Sequence, residues 1–335
     1  MTTTAPRSNP TTLLQFIGMG LIWGASFLFI KVALTGVSFG QVAWTRTVLG
    51  GITLAIVILV SRQRLPRDRA VWGHFVVLAV VSCVLPYLLF AWAQQYVSSS
   101  LASIYSATTP IMTAIMVTLA FRVEKLSGSQ VFGVVVGILG VIVIIAPWQQ
   151  GASGDLWGQL ACLGATLCYG FTFAYTRKFL SHRPITGSTL AFMNIGLAAV
   201  IMLALTPVIA WHPVRLDLWV VGSLLLLGAL GTGLAYVWSF NVLRAWGPTS
   251  ASTVTYITPV VGVLLGVLLL GEALSWNEPV GAALVLFGIL FTQNRLRLPW
   301  GSGDPDATAL AEPTRRRSSR RSPAPPHVSS ARPGR

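Results

Sequence analysis

Residues 101–112 read LASIYSATTPIM and residues 250–261 read SASTVTYITPVV. A shift of 149 positions lays Ala102, Ser103, Ser106 and Pro110 on Ala251, Ser252, Thr255 and Pro259. Each stretch leads through an apolar run to a glutamate, Glu124 or Glu272, followed in both copies by x-Leu-Ser. Further out, Gly133 and Gly140 match Gly281 and Gly288, and Trp23-Gly24 aligns with Tyr169-Gly170. Proline and glutamate are rare in apolar segments, so the coincidence marks two copies of one unit, residues 13–148 and 155–294.

The surroundings say what kind of unit this is. The 335 residues are 54% hydrophobic and 10% charged, with a mean hydropathy of +0.71. Soluble domains carry about 25% charged residues, so a soluble globular protein is excluded. Ten apolar runs follow one another: 13–34, 40–60, 71–95, 101–121, 130–148, 155–179, 185–210, 218–242, 250–270 and 277–294. Each is close to the ~20 residues needed to span a bilayer. None shows the alternation of a barrel strand, and lipid satisfies no free backbone group, so helices are the expected state. The fold class is an all-α membrane protein, ten transmembrane helices in two five-helix repeats. Because five is odd, the second repeat starts on the opposite side of the membrane, and the repeats are inverted. That construction suits a carrier exchanging two open states around a midplane site.

The net charge of +14 then acquires a meaning. Counted from a cytoplasmic N-terminus, the inside breaks hold Arg62, Arg64, Arg67 and Arg69, then Arg122 and Lys125, then Arg177, Lys178 and Arg183, then Arg244. With Arg7, Arg295, Arg297 and seven tail arginines, 20 of the 23 basic residues fall inside. The bias places both termini in the cytoplasm and the protein in the plasma (inner) membrane, and it speaks against a nucleic-acid surface. The first run has no cleavage site after it and is expected to stay attached. Residues 1–12 form a short cytoplasmic segment. Residues 299–335, rich in Pro, Ser and Arg, read as a disordered basic cytoplasmic tail with the charge to contact anionic lipid.

The Trp-Gly of the first span, Arg46 in the second, and the doubled Ala-Ser…Pro…Glu of the fourth and ninth together resemble the EamA family of the drug/metabolite transporter superfamily. The resemblance covers all but the first dozen residues and the tail. It implies a ten-helix inverted-repeat carrier of small metabolites, often an exporter of amino acids or other metabolites, and names no ligand.

The residues themselves point to a solute site. Ser103, Ser106 and Pro110 share one helical face, as do Ser252, Thr255, Tyr256 and Pro259. Pro110 and Pro259 free carbonyls at mid-span and bend their helices, as Pro86 does in the third. Tyr87 and Gln94 extend the polar surface, with Tyr236 and Ser239 as their counterparts in the second repeat. Trp23 is expected to wall the cavity, and Trp92 and Trp238 are further candidates. The alternative for the Ser/Thr stripes is close helix packing. Arg46 is the one basic residue well inside a span, with no mid-span Asp or Glu to pair with it. It is read either as a substrate-carboxylate anchor or as a structural arginine. The GxxxG pairs Gly20/Gly24, Gly133/Gly137 and Gly262/Gly266 read as intramolecular packing, and the oligomeric state is left open.

Enzyme chemistry finds little support. His74, His182, His212 and His327 lie at span ends, in breaks or in the tail, and no phosphate-binding GxxxxGK[ST] occurs. Cys83, Cys162 and Cys168 sit in apolar runs without metal spacing, so no cofactor and no metal is expected. The function expected is secondary transport, with export foremost, of small metabolites such as amino acids or related carboxylates. The alternatives are export of other metabolites or drugs by the same fold, or a membrane-embedded enzyme acting on lipid.

Overall fold

The computed structural model describes residues 10–296 apart from 64, 67, 149–152, 181–184, 210 and 252, and without the side chains of 153–155, 244 and 247–251. The N-terminal segment before residue 10 and the basic tail lie outside the described residues. Within them the chain is helical and has no strand. Helix α1 is Pro10–Ala33, α2 Phe39–Val60, α3 Arg69–Ala93, α4 Ser99–Ala120 and α5 Gly128–Ile145. In the second half α6 is Ser153–Phe179 and α7 Gly187–Ala204; α8 starts at Leu218, passes through a π-helical stretch at Leu226–Leu234 and continues as Ala235–Ala251. Helices α9, Val254–Leu270, and α10, Asn277–Thr292, complete it, and a single turn at Thr206–Ile209 follows α7. Seven of these helices are long and apolar enough to cross a membrane, whereas α9 and α10 are apolar but shorter.

Local chemistry sets the ends. Ser38 and Gln41 form a capping box at the start of α2, and Thr186 caps α7 at the matching place in the second repeat. Both third helices carry a π-helical segment, Val80–Val84 in α3 and Leu226–Leu234 in α8. Such segments locally disturb helical register and recur at functional sites.

The halves interlock. Helix α1 packs on α8 and α9 of the other repeat, and α6 packs on α3 and α4; α2 lies against α7, and α5 against α10. In lipid this association depends on close approach of small residues. At the α5–α10 crossing, a Cβ added to Gly133 would lie 2.5 Å from the Gly288 carbonyl oxygen, and one added to Gly140 would lie 2.9 Å from that of Gly281. Since Gly133 corresponds to Gly281 and Gly140 to Gly288, the two contacts are copies of each other under a pseudo-two-fold. The same holds where Gly24 meets Val261 and Gly170 meets Met112.

One expected boundary shifts. The ninth span begins at Val254 rather than 250, because α8 extends as far as Ala251. The GxxxG glycines all face partners within the chain: Gly20 meets Ile257, Gly137 meets Ile111, and Gly262 meets Ser103.

Candidate functional site

Between the repeats lies a cavity of about 220 Å³, lined by residues of α1, α2, α3, α4, α6, α8 and α9. Much of its wall is repeat-related in pairs: Trp23 with Tyr169, Phe27 with Phe173, Ser106 with Thr255, and Thr109 with Thr258. Such pairing puts the cavity on the pseudo-two-fold. Trp23 is held by its indole N–H donating to the Gly231 carbonyl at 3.1 Å, and its ring meets Tyr236 edge-on at 5.7 Å. Phe90 and Tyr236 add further ring surface.

Arg46 breaks the symmetry. Its Nε donates to Thr232 Oγ1 at 2.9 Å, and its guanidinium carbon lies 3.9 Å from the centre of the Tyr87 ring. Thr232 sits in the π-helical stretch of α8 and is fully buried. In the other repeat the position of Arg46 is taken by Asn194, whose amide bonds to Ser82 Oγ in the π-helical stretch of α3. One contact design thus carries a charge on one side and none on the other. Arg46 opens onto the cavity, and among the described residues no carboxylate forms an ion pair with it. The remaining guanidinium N–H groups are donors with no protein acceptor among those residues.

A second chamber of about 380 Å³ adjoins the first and shares Thr109, Phe173 and Thr255 with it. It runs past Pro110 and Thr113 to Glu124, Gln130 and Arg177, at the end of the bundle that carries the basic loops. Glu124 and Arg177 form an ion pair there, largely exposed on the arginine side.

The opposite end is tied shut. Glu272 accepts hydrogen bonds from the Ser99 and Ser100 backbone N–H groups at 2.7 and 2.9 Å and from Ser100 Oγ at 2.6 Å. These N–H groups open α4 and have no partner within their helix. Burial pushes the Glu272 carboxyl up, but the hydrogen bonds from the Ser100 hydroxyl and from both backbone groups outweigh it and hold the group below its ordinary carboxylate value. Gly266 lets α9 approach this cluster, since a Cβ there would collide with Ser100 Oγ. Lys31 Nζ donates to the carbonyls of Gln94 and Val97 at 2.6 and 2.9 Å, and Gln41 Nε2 to that of His212 at 2.7 Å.

The sequence candidates therefore divide. Trp23, Arg46, Ser106, Tyr236 and Thr255 line the cavity, and Pro110 lines the chamber. Tyr87 is buried behind Arg46. Ser103 faces α9, bonding to its own helix at Ser100 O and approaching Pro259 O. Tyr256 donates to Gln293 Oε1 at 2.8 Å, away from the cavity. Gln94 is fully buried at the closed end, and its amide has no partner among the described residues. Ser239 is half-buried in α8 and does not line the cavity; Ser252 lies outside the described residues. Pro86 lies two residues after the end of the π-helical stretch of α3, and Pro259 lies inside α9. Trp92 packs on Tyr96, and Trp238 covers Gly18. Cavity residues that sequence reasoning missed include Phe27, Phe90, Thr109, Phe173 and Thr258. Thr109 and Thr258 had a signal, since each directly precedes a repeat-related proline.

Comparison with known proteins finds the model of the EamA-like transporter family matching twice, over residues 10–146 and 156–293. The chain is 24% identical over 291 residues to an uncharacterized transporter of Bacillus subtilis (strain 168), YoaV, covering 85% of this chain and 99% of that one. It is 25% identical over 273 residues to the uncharacterized inner membrane transporter YedA of Escherichia coli (strain K12), covering 81% and 86%. A solved crystal structure superposes with a TM-score of 0.59 at 18% identity, covering 87% of this chain and all of that one, a likeness of fold.

Proposed function

From the premise that this chain belongs to the EamA-like transporter family, we propose that it exports small carboxylate-bearing metabolites, amino acids foremost, by alternating access around the Arg46 cavity. The observation that carries the reading is a guanidinium facing that cavity with no carboxylate partner among the described residues. A charge in a low-dielectric interior is costly unless paired, and the planar fork of arginine matches a carboxylate. The basic-loop end is taken as cytoplasmic, with both termini on that side, so the chamber at Glu124 and Arg177 is the route by which cytoplasmic solute reaches the cavity. Among the described residues no carboxylate lines the central cavity, which favours facilitated or exchange transport over a proton relay through it.

The test compares Arg46→Lys with Arg46→Ala in purified protein and proteoliposomes. Loss of the fork should weaken carboxylate binding in both, by about 2 kcal/mol or more, roughly thirtyfold, while both proteins remain folded. Lost transport with undiminished carboxylate binding would instead make Arg46 a structural tie between α2 and α8, and the substrate-anchor reading would be abandoned.

A further inference from the structure

One repeat-related connection is built differently at the two ends of the bundle. At the tied end α3 stops at Ala93 and α4 starts at Ser99, which leaves backbone groups without helical partners on both sides of the turn. Lys31 holds the carbonyls of Gln94 and Val97, and Glu272 holds the N–H groups of Ser99 and Ser100. A cation thus sits at the end of α3 and an anion at the start of α4, each at the helix pole that favours it. The shift of 149 lays this turn on residues 243–249, where α8 instead runs on as helix to Ala251. A continuous helix offers no ends to hold. The register that lays Trp23 on Tyr169 lays Lys31 on Arg177, and Glu124 is the copy of Glu272. Arg177 and Glu124 pair with each other. Yet the continued helix carries the sequence of a helix start: Gly247 falls on Ser98, the cap of α4, and Pro248 on Ser99, its first residue. Glycine is accepted at a cap and proline is favoured just after it, whereas a proline inside a helix removes a backbone hydrogen bond and weakens the helix.

We propose that residues 243–249 switch between continued helix and turn, and that Arg177 and Glu124 are the positioning residues that hold the turn. When the basic-loop end closes, α8 breaks at Gly247-Pro248 and the ion pair parts. Arg177 then takes the carbonyls of Leu243 and Trp246, and Glu124 takes the N–H and hydroxyl of Thr249. These are the counterparts of groups that Lys31 and Glu272 hold now. Pro248 has no N–H, so this clamp has one bond fewer than the one on Ser99 and Ser100, in keeping with the basic-loop end being the open one here. Each charge exchanges one partner for another and is left bare in neither arrangement. The proposal rests on alternating access and not on the carboxylate reading of Arg46.

The test uses Thr109→Cys, which lies on both cavity and chamber, in a full chain that carries Glu272→Gln and lacks the native cysteines. The protein is reconstituted in vesicles and treated with an impermeant thiol reagent from each face. Modification from the face opposite the basic loops requires the basic-loop end to close. Exchanging the pair, as Arg177→Glu with Glu124→Arg, preserves it in the present state but brings each charge to the wrong helix end in the turn. Opposite-face modification should then fall at least about tenfold, while unchanged modification from the basic-loop face reports a folded protein. Arg177→Lys, which copies Lys31, should keep the opposite-face rate, and Pro248→Ala, which favours the continued helix, should lower it about tenfold. A simple surface ion pair would survive the exchange, so an undiminished opposite-face rate in the exchanged variant overturns the clamp. An undiminished rate in Pro248→Ala overturns the helix-to-turn switch. If Glu272→Gln alone gives no modification from that face, alternating access falls and this proposal with it.

Discussion

Glu272 and Glu124 hold the same place in the two repeats, yet they do different things. Glu272 reaches across to the other repeat and closes on the first turn of α4 with three hydrogen bonds. Glu124 also reaches the other repeat, but it pairs with Arg177 at the end of α6 rather than with the start of a helix, beside a chamber of about 380 Å³. The helices they would cap differ in the same sense. Helix α4 begins at Ser99 with Ser98 as its cap, whereas α9 begins only at Val254, with no side-chain cap at Thr253. Two copies of one unit are thus caught in two arrangements, one end tied and the other open. On the alternating-access reading proposed above, the two arrangements exchange, each glutamate in turn capping the opposite repeat and releasing it.

The largest effect expected is from Glu272→Gln. Charge-assisted bonds to helix N–H groups are roughly twice as strong as neutral ones, so the tied end should lose about 2 kcal/mol, enough to shift a two-state population roughly thirtyfold toward opening. Labelling rates of a cysteine placed at Gln94, measured with an impermeant thiol reagent, would report it. An unchanged rate would mean that Glu272 only trims the end of α4.

Glu124→Gln should act in the other direction and more weakly. The pair with Arg177 is exposed and contributes less than ~1 kcal/mol, so its loss costs the present state little. What the variant removes is the cap needed after exchange, so closure of the basic-loop end should become rarer. Parallel shifts in the two variants would contradict the exchange.

A smaller effect is set by pH. The carboxyl of Glu272 is held below its ordinary value in this state. Its contribution is therefore fully present above the usual carboxylate range, around pH 4, and fades as the pH falls through the lowered value. Accessibility of the tied end should stay flat from pH 8 to about pH 5, and rise only in stronger acid. A rise near neutrality would require a different group.

The contrast between the repeats also sets how far the sequence could be read. The repeat is visible because glycines, prolines and glutamates mark backbone contacts that admit no other residue, as at Gly133 and Gly288. Arg46 and Trp23 stand out because charge and size are conspicuous in an apolar span. The aromatic wall at Phe27, Phe90 and Phe173 does not, since an apolar helix looks the same toward lipid as toward a cavity. The Ser/Thr stripe was partly legible. Ser106 meets the cavity, but Ser103 faces α9, and Thr109 belongs to the wall although it lies off the stripe. The turn at Ala107–Thr108 interrupts the regular α-helical register of α4. Periodicity is reliable only within one unbroken helix. The asymmetry between the ends could not be read, because two like sequences in two states carry the same letters.

Alternating access around the Arg46 cavity is tested most directly at Thr109, which lines both cavity and chamber. Thr109→Cys, with Cys83, Cys162 and Cys168 replaced, is reconstituted in vesicles and exposed to an impermeant thiol reagent from one face at a time. Modification is expected from the basic-loop face alone, and from both faces once Glu272→Gln is added. Equal modification from both faces before that change, or from the basic-loop face only after it, would contradict the account.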